Sequence, residues 1–272
     1  MPDVDPVDLR ALRSDGYVHL SRIVPGELVA RARAAIDADL SAHYDPRLHT
    51  RCDHRSYCPR LRGRAALRDL VLRSPVARVV SRLLGEGVSP DRGQVAIRWG
   101  REREAARPPE AHIDGFASGK NGLARGRVHS FTALVGVFLT PVTATFAGNF
   151  TVWPGSHEVY AAHFRRRRAA ALAEPMPRPA LDEPRQLLVQ AGDVVVCNYL
   201  LGHTAADNVG PTDRLAVFFR YALADVDRRR LAYLSRPWMG WRLADAGPEL
   251  TASSAARPRA PRRAYPPPRP SP

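Results

Sequence analysis

Residues 192–203 read GDVVVCNYLLGH. A Gly-Asp pair opens the segment, an apolar run rich in β-branched residues follows, and His203 comes just after that run. Such a composition is typical of a short buried β-strand that starts at a turn and presents a polar side chain where it ends. We therefore predict a strand over residues 194–199, with a histidine placed near its end.

Similar runs, bounded by Gly, Pro or Asp, recur along the chain at residues 94–99, 130–139, 149–153, 187–189 and 215–221. No long helical pattern separates most of them, which favours an antiparallel barrel or a double-sheet jelly roll over a parallel sheet. Helical periodicity occurs at residues 5–13, 25–40, 64–84 and 158–174, and a short strand is predicted at 16–20. The predicted fold is mainly β with flanking helices.

The chain of 272 residues is predicted to form a single domain over residues 1–245. Its helical N-terminal part spans residues 1–90 and its jelly-roll core spans residues 91–225. Residues 246–272 are rich in Pro, Arg, Ser and Ala. Because this stretch has almost no apolar side chains to bury, we predict a disordered tail.

The net charge of +14 does not by itself indicate a nucleic-acid partner. Lys120 is the only lysine, so the excess is arginine, as a GC-rich genome would produce, and no basic stripe is interleaved with aromatic residues. Three cysteines are too few and too uneven for a disulfide framework or zinc ribbon. With no targeting segment or apolar run of about 20 residues, we expect a cytoplasmic protein that binds a small molecule, and neither nucleic acid nor membrane. The oligomeric state is left open.

His112-Ile113-Asp114 is the first pattern that points to chemistry. Residues two apart in extended chain project to the same side, so the imidazole and the carboxylate can meet one cation. His203, at the end of the predicted strand, supplies a second imidazole. Two imidazoles and one carboxylate on a β scaffold are typical of the facial triad of non-haem Fe(II) oxygenases, although a structural His203 remains the alternative at this point.

Arg214 follows His203 by 11 positions, with Gly210-Pro211 turning the chain between them. If the two flanking strands form a hairpin, the guanidinium reaches the same cavity as the metal, and its planar fork suits a carboxylate.

Together these residues resemble the phytanoyl-CoA dioxygenase-like (PhyH) family of Fe(II)/2-oxoglutarate-dependent oxygenases. The resemblance covers roughly residues 12–222 and rests on His-x-Asp at 112–114, GNFTVWPGSH at 148–157, GDVVV at 192–196, and His203 followed by Asn208 and Arg214. It implies a double-stranded β-helix core of the jelly-roll, cupin-like type. It also implies that His112, Asp114 and His203 bind iron and that Arg214 binds 2-oxoglutarate.

Four further residues are candidates for contacts with 2-oxoglutarate. Gln94 and Arg98 share one strand face; facing inward they would contact cosubstrate or an acidic substrate, and facing outward they would be solvated. Thr132 lies on the strand after the metal loop. Thr204, beside His203, either orients the 2-oxoglutarate carboxylates or caps the turn.

The resemblance implies iron(II) as cofactor, 2-oxoglutarate and O2 as cosubstrates, and release of succinate and CO2. Related halogenases carry Ala or Gly where this chain has Asp114, so the carboxylate favours hydroxylation, desaturation or cyclisation over halogenation. The expected substrate is a small metabolite or natural-product intermediate, and hydroxylation is the expected reaction. Two alternatives are a cupin-like metal enzyme that does not use 2-oxoglutarate and a non-catalytic binding domain with the same fold.

Overall fold

The protein is described by a computed structural model that covers residues 9–45, 57–101, 105–117, 123 and 128–243. Two antiparallel β-sheets enclose a cluster of apolar side chains, and N-terminal helices cover the outer face of the larger sheet. The predicted fold, mainly β with flanking helices, is confirmed. The predicted tail lies outside the described residues, and the single-domain boundary stays a prediction.

The N-terminal third is mainly helical, as predicted. Its α-helices are α1 (Leu9–Asp15), α2 (Gly26–His43), α3 (Ala65–Leu72) and α4 (Val76–Leu84), with a 3-10 turn at Pro59–Leu61. Pro75 separates α3 from α4, because a proline lacks the N–H that a continuous helix needs at that place. The helical pattern over residues 64–84 is therefore two short helices.

Eight described strands build the two sheets. They are β1 (Tyr17–Leu20), β2 (Gln94–Arg98), β3 (Ala133–Phe138), β4 (Phe150–Val152), β5 (Arg185–Gln186), β6 (Val194–Asn198), β7 (His203–Ala205) and β8 (Arg214–Tyr221). The larger sheet has the order β1-β6-β3-β8-β2, and the smaller has the order β5-β4-β7. All the recorded strand pairs are antiparallel, which is the arrangement of a jelly roll.

Strand β8 shows that each face of the larger sheet packs against a different apolar cluster. Leu215, Val217 and Phe219 belong to the cluster that includes the helices, whereas Ala216 and Phe218 belong to the cluster between the sheets. Successive side chains of a strand point to opposite faces. The face that carries Ala216 and Phe218 also carries the two arginines at the ends of the strand, so both guanidinium groups belong to the side between the sheets.

Some boundaries differ from the sequence predictions. Residues 187–189 do not form the predicted strand; the strand lies just before them, at Arg185–Gln186, and Val189 makes only an isolated bridge to Val142. The helical insertion at 158–174 is α5 (Ser156–Arg167) with a 3-10 turn at Arg168–Leu172. Strand β7 and a last helix, α6 (Arg230–Ser235), were not predicted, because each is too short to show periodicity. None of the described helices is both long and apolar enough to cross a membrane.

We predict that Phe219→Ala lowers the free energy of unfolding by about 3–5 kcal/mol, because it leaves a cavity between the larger sheet and the helices. Phe219 is fully buried there. Urea denaturation measures the change. Leu188→Ala is the control: Leu188 is 53% exposed, and we expect a change within about 0.5 kcal/mol. Equal losses in the two variants would contradict the packing described here.

Candidate active site

Two histidines and an aspartate meet at the start of β7. His203, the first residue of β7, pairs with His112 through two backbone hydrogen bonds: the His112 N–H donates to the His203 carbonyl (3.0 Å) and the His203 N–H to the His112 carbonyl (2.9 Å). Directly paired residues of an antiparallel ladder have side chains on the same face. The two imidazole rings are accordingly 4.6 Å apart between centroids. Asp114 follows two positions later.

The donor atoms of these three residues converge. One ligand atom from each of His112, Asp114 and His203 lies within 4.8 Å of the others. Nε2 of His112 is 3.7 Å and Nε2 of His203 is 3.8 Å from Oδ1 of Asp114. Donor atoms at this spacing would fit around one ion at the usual ligand distance of about 2.0–2.2 Å. The cluster is therefore a candidate metal centre with two nitrogen ligands and one oxygen ligand.

The orientation of His203 is set by the segment before it. Nδ1 of His203 lies 2.9 Å from the Leu201 carbonyl, which can only accept, so Nδ1 carries the proton and Nε2 keeps a free lone pair. The Gly202 N–H donates to Ser156 Oγ (2.8 Å), and the Trp153 N–H donates to the Gly202 carbonyl (2.9 Å). The Trp-Pro-Gly-Ser string thus anchors the residue just before His203.

An ion pair with Arg220 keeps Asp114 charged. Nε and Nη2 of Arg220 lie 3.1 and 2.6 Å from Oδ2 of Asp114. Burial alone would raise the pKa of Asp114, but the charge of Arg220, followed by His203 and His112, holds that pKa well below its usual range. The carboxylate is ionised, as a metal ligand must be.

The turn after Asp114 is held by Tyr199. Its hydroxyl oxygen lies 3.1 Å from the carbonyl oxygen of Asp114 and 3.2 Å from the carbonyl oxygen of His129, and its one proton can be donated to either acceptor. Burial, and then the charge of Asp114, raise the pKa of Tyr199, so the phenol keeps its proton and remains a donor. Gly115 has φ +90°, and a Cβ there would lie 1.8 Å from the His129 carbonyl oxygen. This turn accommodates only glycine at Gly115.

Arg214 is a buried cation at the opposite end of β8 from Arg220. It is 2% exposed; Nε donates to the Gly148 carbonyl (2.8 Å) and Nη1 to the Ala96 carbonyl (3.1 Å). No carboxylate of the described ranges pairs with it. Burial, and then the neighbouring charge of Arg98, lower the pKa of Arg214 to about 9. A buried guanidinium of this kind is costly unless an anion joins it.

A family model described as Phytanoyl-CoA dioxygenase (PhyH) matches residues 12–216. The chain belongs to this family. Members of the PhyH family are Fe(II)/2-oxoglutarate-dependent oxygenases. The residues present here fit both iron(II) and 2-oxoglutarate. Two imidazoles and a carboxylate are the donor set of non-haem iron(II), and a buried guanidinium without an acidic partner in the described part of the chain suits a carboxylate of 2-oxoglutarate.

Solved structures share the fold at low sequence identity. The non-heme alpha ketoglutarate dependent carbocyclase SnoK from nogalamycin biosynthesis is 22% identical, with a TM-score of 0.50, over 82% of this chain and 88% of that one. The apo non-heme monooxygenase ThoJ is 20% identical, with a TM-score of 0.54, over 79% and 77% of the two chains. AviO1 from Streptomyces viridochromogenes Tue57 is 18% identical, with a TM-score of 0.51, over 79% and 93%. A comparison with curated protein sequences found no match.

Gln94 and Arg98 lie on the inner face of β2. Val95 and Ile97 pack with the helices, so the alternate residues face the space between the sheets. Arg98 is directly opposite Arg214 in the sheet register. Oε1 of Gln94 accepts a hydrogen bond from Nη2 of Arg220 (3.0 Å), which places Gln94 at the metal end of the cavity. A contact of either residue with 2-oxoglutarate stays a prediction.

The two threonine candidates have other roles in the observed hydrogen bonding and sheet register. Oγ1 of Thr132 accepts the Leu223 N–H (3.1 Å) and so fixes the chain after β8. Thr204 pairs with Thr151, whereas His203 pairs with Val152, so Thr204 lies on the other face of β7 from the metal ligand. Their contacts with 2-oxoglutarate remain predictions.

Neither Arg220 nor Tyr199 was predicted from the sequence as a site residue. The signal for Arg220 was present, since it lies six positions after Arg214 and a period of two puts both on one face of β8. Nothing in the sequence pattern distinguished Tyr199, because its role depends on two carbonyl groups that come from a distant segment.

We predict that Gly115→Ala weakens metal binding by about 10- to 100-fold, since the added Cβ displaces the turn that carries Asp114. Titration with Mn(II), with the free ion counted by its electron paramagnetic resonance signal, measures the affinity. Gly87→Ala is the matched control, because Gly87 also has positive φ (+78°) but has open space at Cβ. Equal Mn(II) affinities for the two variants would show that the turn does not position the ligand.

Proposed function

We propose that this PhyH-family oxygenase is a hydroxylase of a small-molecule metabolite, with His112, Asp114 and His203 as the iron ligands and Arg214 as the residue that binds 2-oxoglutarate. Succinate and CO2 are the other products. The metal ligands are supported by their convergence within 4.8 Å. The choice of 2-oxoglutarate as cosubstrate is supported at the residue level by Arg214.

The buried charge of Arg214 is the observation that carries the proposal. Its guanidinium is enclosed between the sheets, with two backbone carbonyls as acceptors and no acidic partner within the residues that the structure describes. A purely structural arginine in this position would be expected to have a carboxylate beside it. A cosubstrate that brings its own carboxylate offsets the desolvation of the guanidinium, and Arg98, opposite in the sheet, adds positive charge at the same end.

When bound, iron(II) and 2-oxoglutarate supply the oxidising chemistry: O2 is reduced, one oxygen atom enters succinate and the other is delivered to the substrate. The chain's own residues position these groups. The Leu201 carbonyl fixes the tautomer of His203, Arg220 keeps Asp114 ionised, and Tyr199 holds the turn that carries Asp114. Aromatic side chains, Phe150 and Phe218 among them, make the space beside His203 apolar. That lining favours exclusion of bulk water from the reacting groups.

Asp114 supports hydroxylation rather than halogenation. Its carboxylate would fill the protein ligand position that a halide takes in related halogenases, which carry Ala or Gly there. Product mass distinguishes the remaining oxidative outcomes, since hydroxylation adds one oxygen atom whereas desaturation or ring closure removes two hydrogen atoms. The fold is shared with a carbocyclase from nogalamycin biosynthesis, which supports the choice of a natural-product intermediate for the first substrate screens.

Two other functions are tested by the same cosubstrate assay. A cupin-like enzyme that does not use 2-oxoglutarate would leave Arg214 buried without a carboxylate. A non-catalytic binding domain would have no need of three converging ligands whose tautomer and charge are set by neighbouring groups. Formation of succinate from 2-oxoglutarate under O2 supports the proposal, and its absence in the iron-loaded protein under O2 would contradict it.

We predict that His112→Ala and Asp114→Asn abolish succinate formation, because each removes a ligand of the metal. Asn keeps the size of Asp114 and an acceptor for Arg220, and the His112 side chain is 40% exposed, so we expect both variants to fold. Succinate is quantified after incubation with iron(II), ascorbate, 2-oxoglutarate and O2, and circular dichroism checks the fold. His163→Ala, a substitution on α5, is the control, and we expect its turnover to equal that of wild type. Turnover that survives in both ligand variants would refute the metal assignment.

We predict that Arg214→Ala weakens 2-oxoglutarate binding by about 2–5 kcal/mol, the range for losing one partner of a buried charge pair. Metal binding should be unaffected, since Arg214 contacts none of the three ligands. Calorimetric titration of the Mn(II)-loaded protein with 2-oxoglutarate measures the loss. Arg185→Ala serves as the control, because Arg185 contacts Tyr17 and Asp15 instead. Unchanged affinity in Arg214→Ala would remove the basis for the cosubstrate site.

A further inference from the structure

We infer that Arg220 is a positioning residue for the metal centre: it holds Oδ2 of Asp114, so that the carboxylate binds iron through Oδ1 alone. The inference rests on the proposed role of Asp114 as an iron ligand. It concerns the way in which that ligand binds, and it assigns a function to an arginine that the sequence pattern left without one.

The two carboxylate oxygens of Asp114 have different surroundings. Oδ1 faces the two imidazoles, at 3.7 Å from Nε2 of His112 and 3.8 Å from Nε2 of His203. Oδ2 faces the guanidinium and accepts from both Nε (3.1 Å) and Nη2 (2.6 Å) of Arg220. Two charge-assisted hydrogen bonds on one oxygen use its lone pairs. The carboxylate is thus divided into one oxygen for the metal and one for the protein.

Arg220 is itself held from several sides. Its Nη2 also donates to Oε1 of Gln94 (3.0 Å), and Nη1 lies 3.9 Å from Oδ2 of Asp91. The guanidinium carbon is 5.6 Å from the centroid of the Phe131 ring. The backbone N–H of Arg220 donates to Oδ1 of Asp91 (3.1 Å). A guanidinium with these contacts has little rotational freedom, so it can impose an orientation on its partner.

The number of carboxylate oxygens on the metal matters for this chemistry. A carboxylate that binds through both oxygens occupies one more position and leaves one fewer for the cosubstrates. The facial arrangement of two imidazoles and one carboxylate oxygen is useful because the opposite face stays open. By holding Oδ2, Arg220 keeps that face available for 2-oxoglutarate and O2. Gln94 contributes by accepting the hydrogen bond from Nη2 of Arg220.

A merely structural ion pair would have different consequences. The ion pair between Arg31 and Asp69 is a suitable comparison, and it lies in the helical layer. The Asp69 side chain is 12% exposed, which is similar to the 19% of Asp114. Loss of either pair would lower stability. Only loss of Arg220 should change how the metal is coordinated and how tightly 2-oxoglutarate binds to the metal-loaded protein.

The test uses the full chain loaded with Co(II), as wild type, Arg220→Gln, Arg220→Lys and the control Arg31→Gln. Crystal structures give the distances from the metal to Oδ1 and Oδ2 of Asp114, and calorimetric titration gives the 2-oxoglutarate affinity of each Co(II) protein. We expect Oδ1 alone on the metal in wild type and both oxygens in Arg220→Gln. The 2-oxoglutarate affinity of Arg220→Gln should fall by at least about tenfold. Arg220→Lys, which keeps one charged donor near Oδ2, should retain coordination through one oxygen, and Arg31→Gln should match wild type.

The inference is overturned if Oδ2 remains off the metal in Arg220→Gln and the 2-oxoglutarate affinity stays within about twofold of wild type. It is also overturned, whether or not the variants fold, if Co(II)-loaded wild type binds Asp114 through both oxygens. A wild-type protein that binds no Co(II) at His112, Asp114 and His203 would instead refute the proposed metal centre itself, so the two failures are distinguishable.

Discussion

Arginine side chains that lose water on the inner face of a β-sheet need compensating anions, and strand β8 places one such arginine near each of its ends. Desolvation of a cation costs several kcal/mol unless an opposite charge and hydrogen bonds compensate. At one end Arg220 has Asp114; at the other Arg214 has only backbone carbonyls among its described partners. In the proposed function, the first pair keeps a metal ligand ionised and the second arginine binds the incoming carboxylate of 2-oxoglutarate. The proposed chemistry follows from that difference.

The jelly roll provides the geometry in which these charges act together. Antiparallel pairing brings His112, which lies 91 positions earlier in the chain, beside His203 with both imidazoles on one face. The positions of the proposed ligands also depend on hydrogen bonds from other segments of the chain. The Trp153 and Ser156 region anchors the chain at Gly202, and Tyr199 ties the Asp114 turn to His129. The helical layer packs on the other side of the larger sheet and buries the outer face of β8.

The sequence predicted most strands, and it singled out the three candidate ligands that the structure brings together, because residue type and spacing are local features. The strands with regular β composition, such as 94–98 and 194–198, were found within a residue or so of their ends. The His-x-Asp pattern, His203 and Arg214 were recognisable from residue type and spacing. What escaped prediction depends on tertiary contacts. The role of Arg220 required knowing that Asp114 folds against β8, and the orientation of Thr204 required the register of β7 on β4. Strand β7, only three residues long, has no period to read.

The most direct test of this account is anomalous X-ray diffraction at the iron edge from crystals prepared without O2 in the presence of iron(II) and 2-oxoglutarate. The account predicts one strong peak at about 2.0–2.2 Å from Nε2 of His112, Nε2 of His203 and Oδ1 of Asp114, with the distal carboxylate of 2-oxoglutarate against the guanidinium of Arg214. A peak elsewhere, or 2-oxoglutarate bound away from Arg214, would contradict it.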